Sequence, residues 1–250
     1  MQSRVCIFGG VCAHSLFIHN QQTTAMTTEE ILQQLESFGT EQNRNIYRKH
    51  GVGETMYGVS YANLGALKKK LKTNHPLALE LWASGNHDAR VLATMIADPA
   101  QLDGKTLDAW AADLGNYLLT DAFAKLAVGS AEWVKKSEKW RKAKGEWISR
   151  AGWLLAAQRA GDPVIADGYF AELLPTIEAT IHKAKNRTRD AMNTVLISIG
   201  LRPGLRQQAI ATARAIGKVE VDHGQTSCKT PDAESYILKT VQYREKKRKG

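Results

Sequence analysis

The stretch "NHPLALELWASGNHDARVLATMIADP", Asn74 to Pro99, decides how the rest of the chain is read. Asn74 is a helix cap, Pro76 sits in the first turn, and Gly85 closes a helix of apolar residues spaced by three and four. A second segment of the same period, "HDARVLATMIADP", follows at once and stops at Pro99. Two short helices joined by a tight turn are therefore the expected unit. Upstream, "TTEEILQQLES" opens with a Thr-x-x-Glu capping box. Downstream, "KTLDAWAADLG", "YLLTDAFAKLAVG", "GEWISRAGWLLAAQRAGDP", "RDAMNTVLISIG" and "GLRQQAIATARAIG" repeat the pattern in runs of about 10 to 17 residues. Strand signals are almost absent, with no long Val/Ile/Thr alternation and no Asn-Gly hairpin. The expected fold class is all-α, a solenoid of antiparallel helix pairs rather than a bundle. A weak echo supports the solenoid, since "HDARVLATMIADP", "ISRAGWLLAAQRAGDP" and "TRDAMNTVLISIGLRP" each set an Arg before an apolar run ending in Pro.

The 250 residues are 43% hydrophobic and 24% charged, a globular balance. The folded domain is expected over residues 26–240. Residues 1–25 read as an N-terminal extension or an upstream start, and residues 241–250 as a basic tail. The opening "MQSRVCIFGGVCAHSLFI" faintly resembles a signal peptide, but His14 and the lack of a clean small-residue cleavage site argue against export. Cys6, Cys12 and Cys228 are scattered and odd in number, which fits a reducing cytoplasm. No apolar run is long enough to span a bilayer.

The net charge of +9 favours a polyanionic partner, with nucleic acid the commonest. "WVKKSEKWRKAK" (Trp133 to Lys144) holds six basic residues against one Glu, and "HKAKNRTR" (His182 to Arg189) holds four and no acid. The final "REKKRKG" adds five against one. A concave solenoid face carrying this charge would suit a phosphate backbone. Trp133, Trp140 and Trp147 recur every seven residues and read as a helical core stripe with solvated charges between.

"LGNYLLTDAFAKLA" sets Asp121 among apolar residues, with Tyr117 four positions earlier. Asp121 could be a catalytic acid in a cleft, a partner for Lys125, or the cap of a helix starting at Ala122. Arg150, in "EWISRAGWLLAA", lies on an otherwise apolar helix. If it faces inward it needs a carboxylate or phosphate partner. "VDHGQTSCKTPDAESYI" gathers Asp222, His223, Cys228 and Asp232 without metal-ligand spacing. It reads as a loop in which Asp222 and Thr226 satisfy backbone amides before a last helix begins at Thr230-Pro231-Asp232. There is no Gly-rich phosphate loop, GxSxG elbow or HExxH, so neither cofactor nor metal is expected.

"GVSYANLGALKKKLKTNHPLALELWASGNHDARVLATMIADP", "EWISRAGWLLAA" and "VDHGQTSCKTPDAESYILKT" resemble the DNA alkylation repair family over about Met26 to Thr240. "LWASGNHDAR" and the closing motif are its most specific parts. The resemblance implies an all-α fold of HEAT-like repeats and an alkylpurine DNA glycosylase. Such an enzyme holds double-stranded DNA with alkylated bases in a basic concave groove. It releases N3- or N7-alkylated purines without flipping the lesion into a pocket, unlike most glycosylases. A positively charged base leaves readily, so one carboxylate that stabilises the sugar cation suffices, aided by aromatic walls. Carried over by motif, the carboxylate falls on Asp121, its aromatic on Tyr117, and an arginine beside a phosphate on Arg150. A second cleft tryptophan, in an Ala-Ile-Gly-Trp context, falls on "AMNT", with Asn193 and Thr194 in place of Gly and Trp. The missing aromatic removes on the order of 0.5–2 kcal/mol of cation–π attraction. Lys135, Lys136, Arg141, Lys183, Arg187 and Arg189 are the expected DNA-backbone contacts. A cytoplasmic monomer without a cofactor is expected. A noncatalytic HEAT-like module binding nucleic acid or protein through the same groove is the alternative.

Overall fold

In the computed structural model, residues 26–249 are described; the extension expected over residues 1–25 lies outside them. Fourteen α-helices, two single-turn 3-10 helices and no strand occur among the described residues. In order they are α1 (Thr28–Phe38), α2 (Glu41–Lys49), α3 (Tyr61–Leu71), α4 (His75–Ala83), α5 (His87–Ile96), α6 (Gly104–Ala112) and α7 (Tyr117–Ala127). They continue as α8 (Trp133–Arg141), α9 (Glu146–Arg159), α10 (Asp167–Ala171), α11 (Leu173–Thr180), α12 (Asn186–Gly200), α13 (Arg206–Ile216) and α14 (Ala233–Lys249).

Local chemistry sets the boundaries. Thr27 and Glu30 close the capping box of α1, and Asn74 caps α4 with a proline in its first turn. Asn116 Oδ1 accepts from the Leu119 amide, so α7 starts at Tyr117, before the alternative start at Ala122. Neither Thr120 nor Asp121 is therefore its cap. The basic residues from 241 to 249 are helical and continue α14.

Helices adjacent in sequence pack as pairs, notably α4 with α5, α8 with α9, and α12 with α13. Between pairs, α3, α5, α7, α9, α12 and α14 each pack on the next, giving one continuous row. Apolar residues spaced by three and four along each helix bury one stripe against that row. Aromatic side chains tie the other helices to it. The Trp82 and Trp110 rings stack at 4.0 Å, Phe123 lies 6.0 Å from Trp82, and Trp140 lies 5.5 Å from Phe123. The buried indole N–H groups are satisfied: Trp82 donates to Asp113 and Trp140 to Asp108, both at 2.8 Å. The seven-residue tryptophan spacing is not one stripe, because α8 ends at Arg141 and Trp147 belongs to α9. Gly152 makes the α8–α9 approach close, since a Cβ there would collide with the Arg141 backbone nitrogen.

"LWASGNHDAR" has a structural task. Asp88 is fully buried, and its carboxylate accepts from the amides of Tyr57, Gly58 and Val59 at 2.7, 3.0 and 2.9 Å. Gly58 sits at φ +79°, a conformation open to glycine, and this turn delivers the chain into α3.

Asp108 collects Lys136 and Lys139, each at 2.8 Å, besides the Trp140 indole. Burial works against its charge, but these three partners outweigh it and hold the carboxyl down at about 2. A folded value below the ordinary 3.8 stabilises the protein above that pH, and the benefit disappears as pH falls from 3.8 towards 2. The stability difference between wild type and Asp108→Asn should therefore shrink across that interval in urea titrations. A difference independent of pH would contradict it.

Candidate functional site

Tyr117 and Asp121 are one turn apart on α7, while Leu119, Thr120, Phe123 and Ala124 bury the opposite face. Asp121 is thus turned outward, with its side chain 46% exposed. Its ion pair is with Arg150 of α9, not with Lys125. Arg150 is 5% exposed, and its guanidinium is almost fully occupied. Nε and Nη2 donate to the two oxygens of Asp121 at 2.8 and 3.1 Å; Nη1 donates to Asp190 at 2.7 Å and to the Arg187 carbonyl at 3.0 Å. Burial opposes the charge of Arg150, yet the two carboxylates prevail and hold it above its ordinary value. The cluster joins α7, α9 and α12 and, with two carboxylates on one guanidinium, carries a net −1. The expected Arg150–phosphate contact is displaced by these carboxylates. Arg150 orients Asp121 instead.

The α12 contribution follows from helix phase. Arg187, Asp190 and Thr194 are spaced three and four apart and share the face towards Arg150 and Tyr117. The Arg187 guanidinium lies 4.4 Å from the centre of the Tyr117 ring and bonds His223 Nδ1 at 3.3 Å. The Tyr117 hydroxyl meets His50 Nδ1. Burial, opposed by Arg187, leaves the Tyr117 phenol above its ordinary value. Tyr61, half-exposed at the start of α3, is close enough for Asp121 and Asp88 to add to the burial that pushes its own phenol up.

Thr194 is exposed and its hydroxyl donates to the Asp190 carbonyl at 3.0 Å. Asn193 does not join it: one residue is about 100° of helix, and Asn193 is 2% exposed, donating to the Pro231 carbonyl at 3.0 Å. Its Nδ2 anchors the entry to α14, while its buried Oδ1 has no partner and the residue lines the cleft formed with the 217–233 segment.

The expected backbone contacts divide. Lys136 is 6% exposed, bound to Asp108 and to the Gly104 carbonyl, and so is removed from the set. Arg189 is taken up by the carbonyls of Glu220, Ala184 and His182. Lys135 and Lys183 are exposed, and Arg141 lies over the Trp153 ring at 5.2 Å. In the 222–230 loop Asp222 and Thr226 do accept backbone amides, from Gly224 and Cys228. No group of three metal-binding side chains occurs among the described residues, and no described helix is long and apolar enough to cross a membrane. Asp190, His50 and Tyr61 are additions that sequence reading missed, and His223, singled out there only among metal-capable loop residues, joins them through Arg187. Asp190 alone left a signal, the spacing from Arg187 to Thr194.

The profile of the family described as DNA alkylation repair enzyme matches residues 31–233. The uncharacterized protein Lin0241 of Listeria innocua is 29% identical over 226 residues, covering 86% of this chain and 97% of that protein. The uncharacterized protein Lmo0209 of Listeria monocytogenes is 27% identical over the same shares. A solved structure superposes with a TM-score of 0.80 and 29% identity, covering 87% of this chain and 95% of its own. It is described as a new family of proteins related to the HEAT-like repeat DNA glycosylases with affinity for branched DNA structures.

Proposed function

Because the chain belongs to the DNA alkylation repair enzyme family, we propose that its α7–α9–α12 row forms a concave DNA-binding face on which alkylated purines are excised. The observation that carries this reading is Asp121, half-exposed yet held by both oxygens to a buried Arg150 that Asp190 also clamps. A half-exposed carboxylate in a cluster of net −1 on a face meant for DNA weakens binding unless it meets a further cation. The deoxyribose ring becomes one as the C1′–N bond breaks and its electrons neutralise the charged purine. Water then adds at C1′, and Asp121 orients it while its proton leaves to solvent or carboxylate. A fixed anion in place before the charge develops is the favourable arrangement. Arg150 and Asp190 are positioning residues. Lys135, Lys183 and Arg187 supply backbone attraction.

A second reading rests on Arg187 and Thr194. Two guanidinium groups already lie against Tyr117, at 4.4 and 5.8 Å from its ring centre, and Thr194 offers no π face. A cationic base would have to displace Arg187 to stack there. These features suit a DNA-binding protein without excision, and the structural relative is described by its affinity for branched DNA. Wild-type protein incubated with methylated duplex DNA should release 7-methylguanine or 3-methyladenine. Absence of release, with tighter binding to a four-way junction than to linear duplex, would decide for the second reading.

A further inference from the structure

The two basic runs of the sequence, separated by about 40 residues, meet in the folded chain. Arg141, Lys142 and Lys144, from the end of α8 and the turn after it, face Lys183 and Lys185, which precede α12, across a cleft of about 340 Å³. Ser149, Thr176, Thr180 and Thr188 complete its polar wall, and no carboxylate lines it. None of the four lysines has an acidic partner among the described residues. Arg141 donates its Nε to the Ser137 carbonyl and lies over Trp153, and burial holds its guanidinium below its ordinary value against the opposing pull of Tyr169 and Glu138. Two long helices, α9 and α12, begin at this cleft, and Glu146 in the first turn of α9 caps α12 by accepting from the Arg187 amide at 2.6 Å. Glu146 answers the partial positive charge of those amino ends without lining the cleft, so the cleft's own charge comes from its lysines and Arg141. Cations gathered this closely repel one another unless an anion lies between them.

The cleft is distinct from the Asp121 cluster. On α9 it uses Ser149 and Trp153, while the cluster uses Arg150; on α12 it uses Thr188 and Met192, while the cluster uses Arg187 and Asp190. The two sites therefore lie on neighbouring faces of the same two helices.

We propose that this cleft is a phosphate-binding site that takes consecutive phosphates of a DNA strand passing from the Asp121 face around the edge of the helix row. The proposal rests on the DNA-binding reading but not on excision. A strand held there leaves the line of a straight duplex, so DNA with a branch or bend should gain most.

The test uses the full chain, its Lys144→Gln/Lys185→Gln variant (one lysine from each run), and tripolyphosphate as probe. Tripolyphosphate should bind wild type, lose at least 10-fold in affinity for the variant, and be displaced by DNA. The log–log salt slope of junction DNA binding should become shallower by about 1.8, at roughly 0.9 for each phosphate that a lysine no longer neutralises. Linear duplex should change by less than half of that. Thermal unfolding should stay unchanged, because both lysines are exposed. No binding of tripolyphosphate, or binding indifferent to the substitutions, overturns the site. Tripolyphosphate binding that the variant loses but DNA does not compete for, with the salt slope unchanged, assigns the cleft to free polyphosphate and overturns the DNA strand. Equal losses on junction and linear duplex overturn the path around the edge. None of these measurements depends on base release, so failure of excision leaves the inference standing.

Discussion

Arg150→Met should lower stability by about 3 kcal/mol, a loss of roughly 10 °C in Tm for a domain of this size. The guanidinium is buried and holds carboxylates from two other helices, so its removal leaves Asp121 and Asp190 facing each other without a counter-charge. Asp190 suffers more, with a side chain 19% exposed against 46% for Asp121, which can turn to water. That partial escape sets the expected loss at the lower end of what breaking a buried pair costs. Replacing all three residues together, as Arg150→Met with Asp121→Asn and Asp190→Asn, should recover most of it, because no unpaired charge then remains. Urea unfolding of wild type and the two variants checks this. A loss below about 1 kcal/mol for Arg150→Met would mean that the cluster does not hold α7, α9 and α12 together.

Much of the helical frame was legible in the residues. Caps and stops are local chemistry, so Thr27 with Glu30, Asn74 with Pro76, and the close at Gly85 could be read without the fold. That Arg150 needs an anionic partner was also legible, from one arginine in an apolar helix. Which partner was not, because Asp121 and Asp190 stand 29 and 40 positions away and nothing local links them. Lys136 misled for the same reason. Within "WVKKSEKWRKAK" it looks like every other lysine, and only Asp108, on another helix, makes it a buried one. The helix phase of α12 was available but unused. Counting three and four from Arg187 gives Asp190 and Thr194, and would have turned Asn193 away from the site. His50 and His223 reach Tyr117 and Arg187 through tertiary contacts alone, which no spacing announces.

Asp121→Asn is the substitution with the largest expected effect on chemistry. Asparagine keeps the shape and one oxygen towards Arg150 while removing a unit of charge. A unit charge about 4 Å from the developing sugar cation is worth roughly 4 kcal/mol where water is partly excluded. Loss of a preorganised electrostatic group costs about 10²- to 10³-fold in rate. Affinity for DNA should not fall with it, since the lost anion faces a polyanion. Asp190→Asn should give a smaller loss, because the cluster becomes neutral while Asp121 keeps its charge. The proposal that Asp121 stabilises the sugar cation is met most directly by single-turnover release of 7-methylguanine and 3-methyladenine, with protein saturating over methylated duplex. It requires release by wild type, a fall of at least 100-fold in Asp121→Asn, and a Kd unchanged within about threefold. Wild type without release, or release that Asp121→Asn leaves intact, would contradict it.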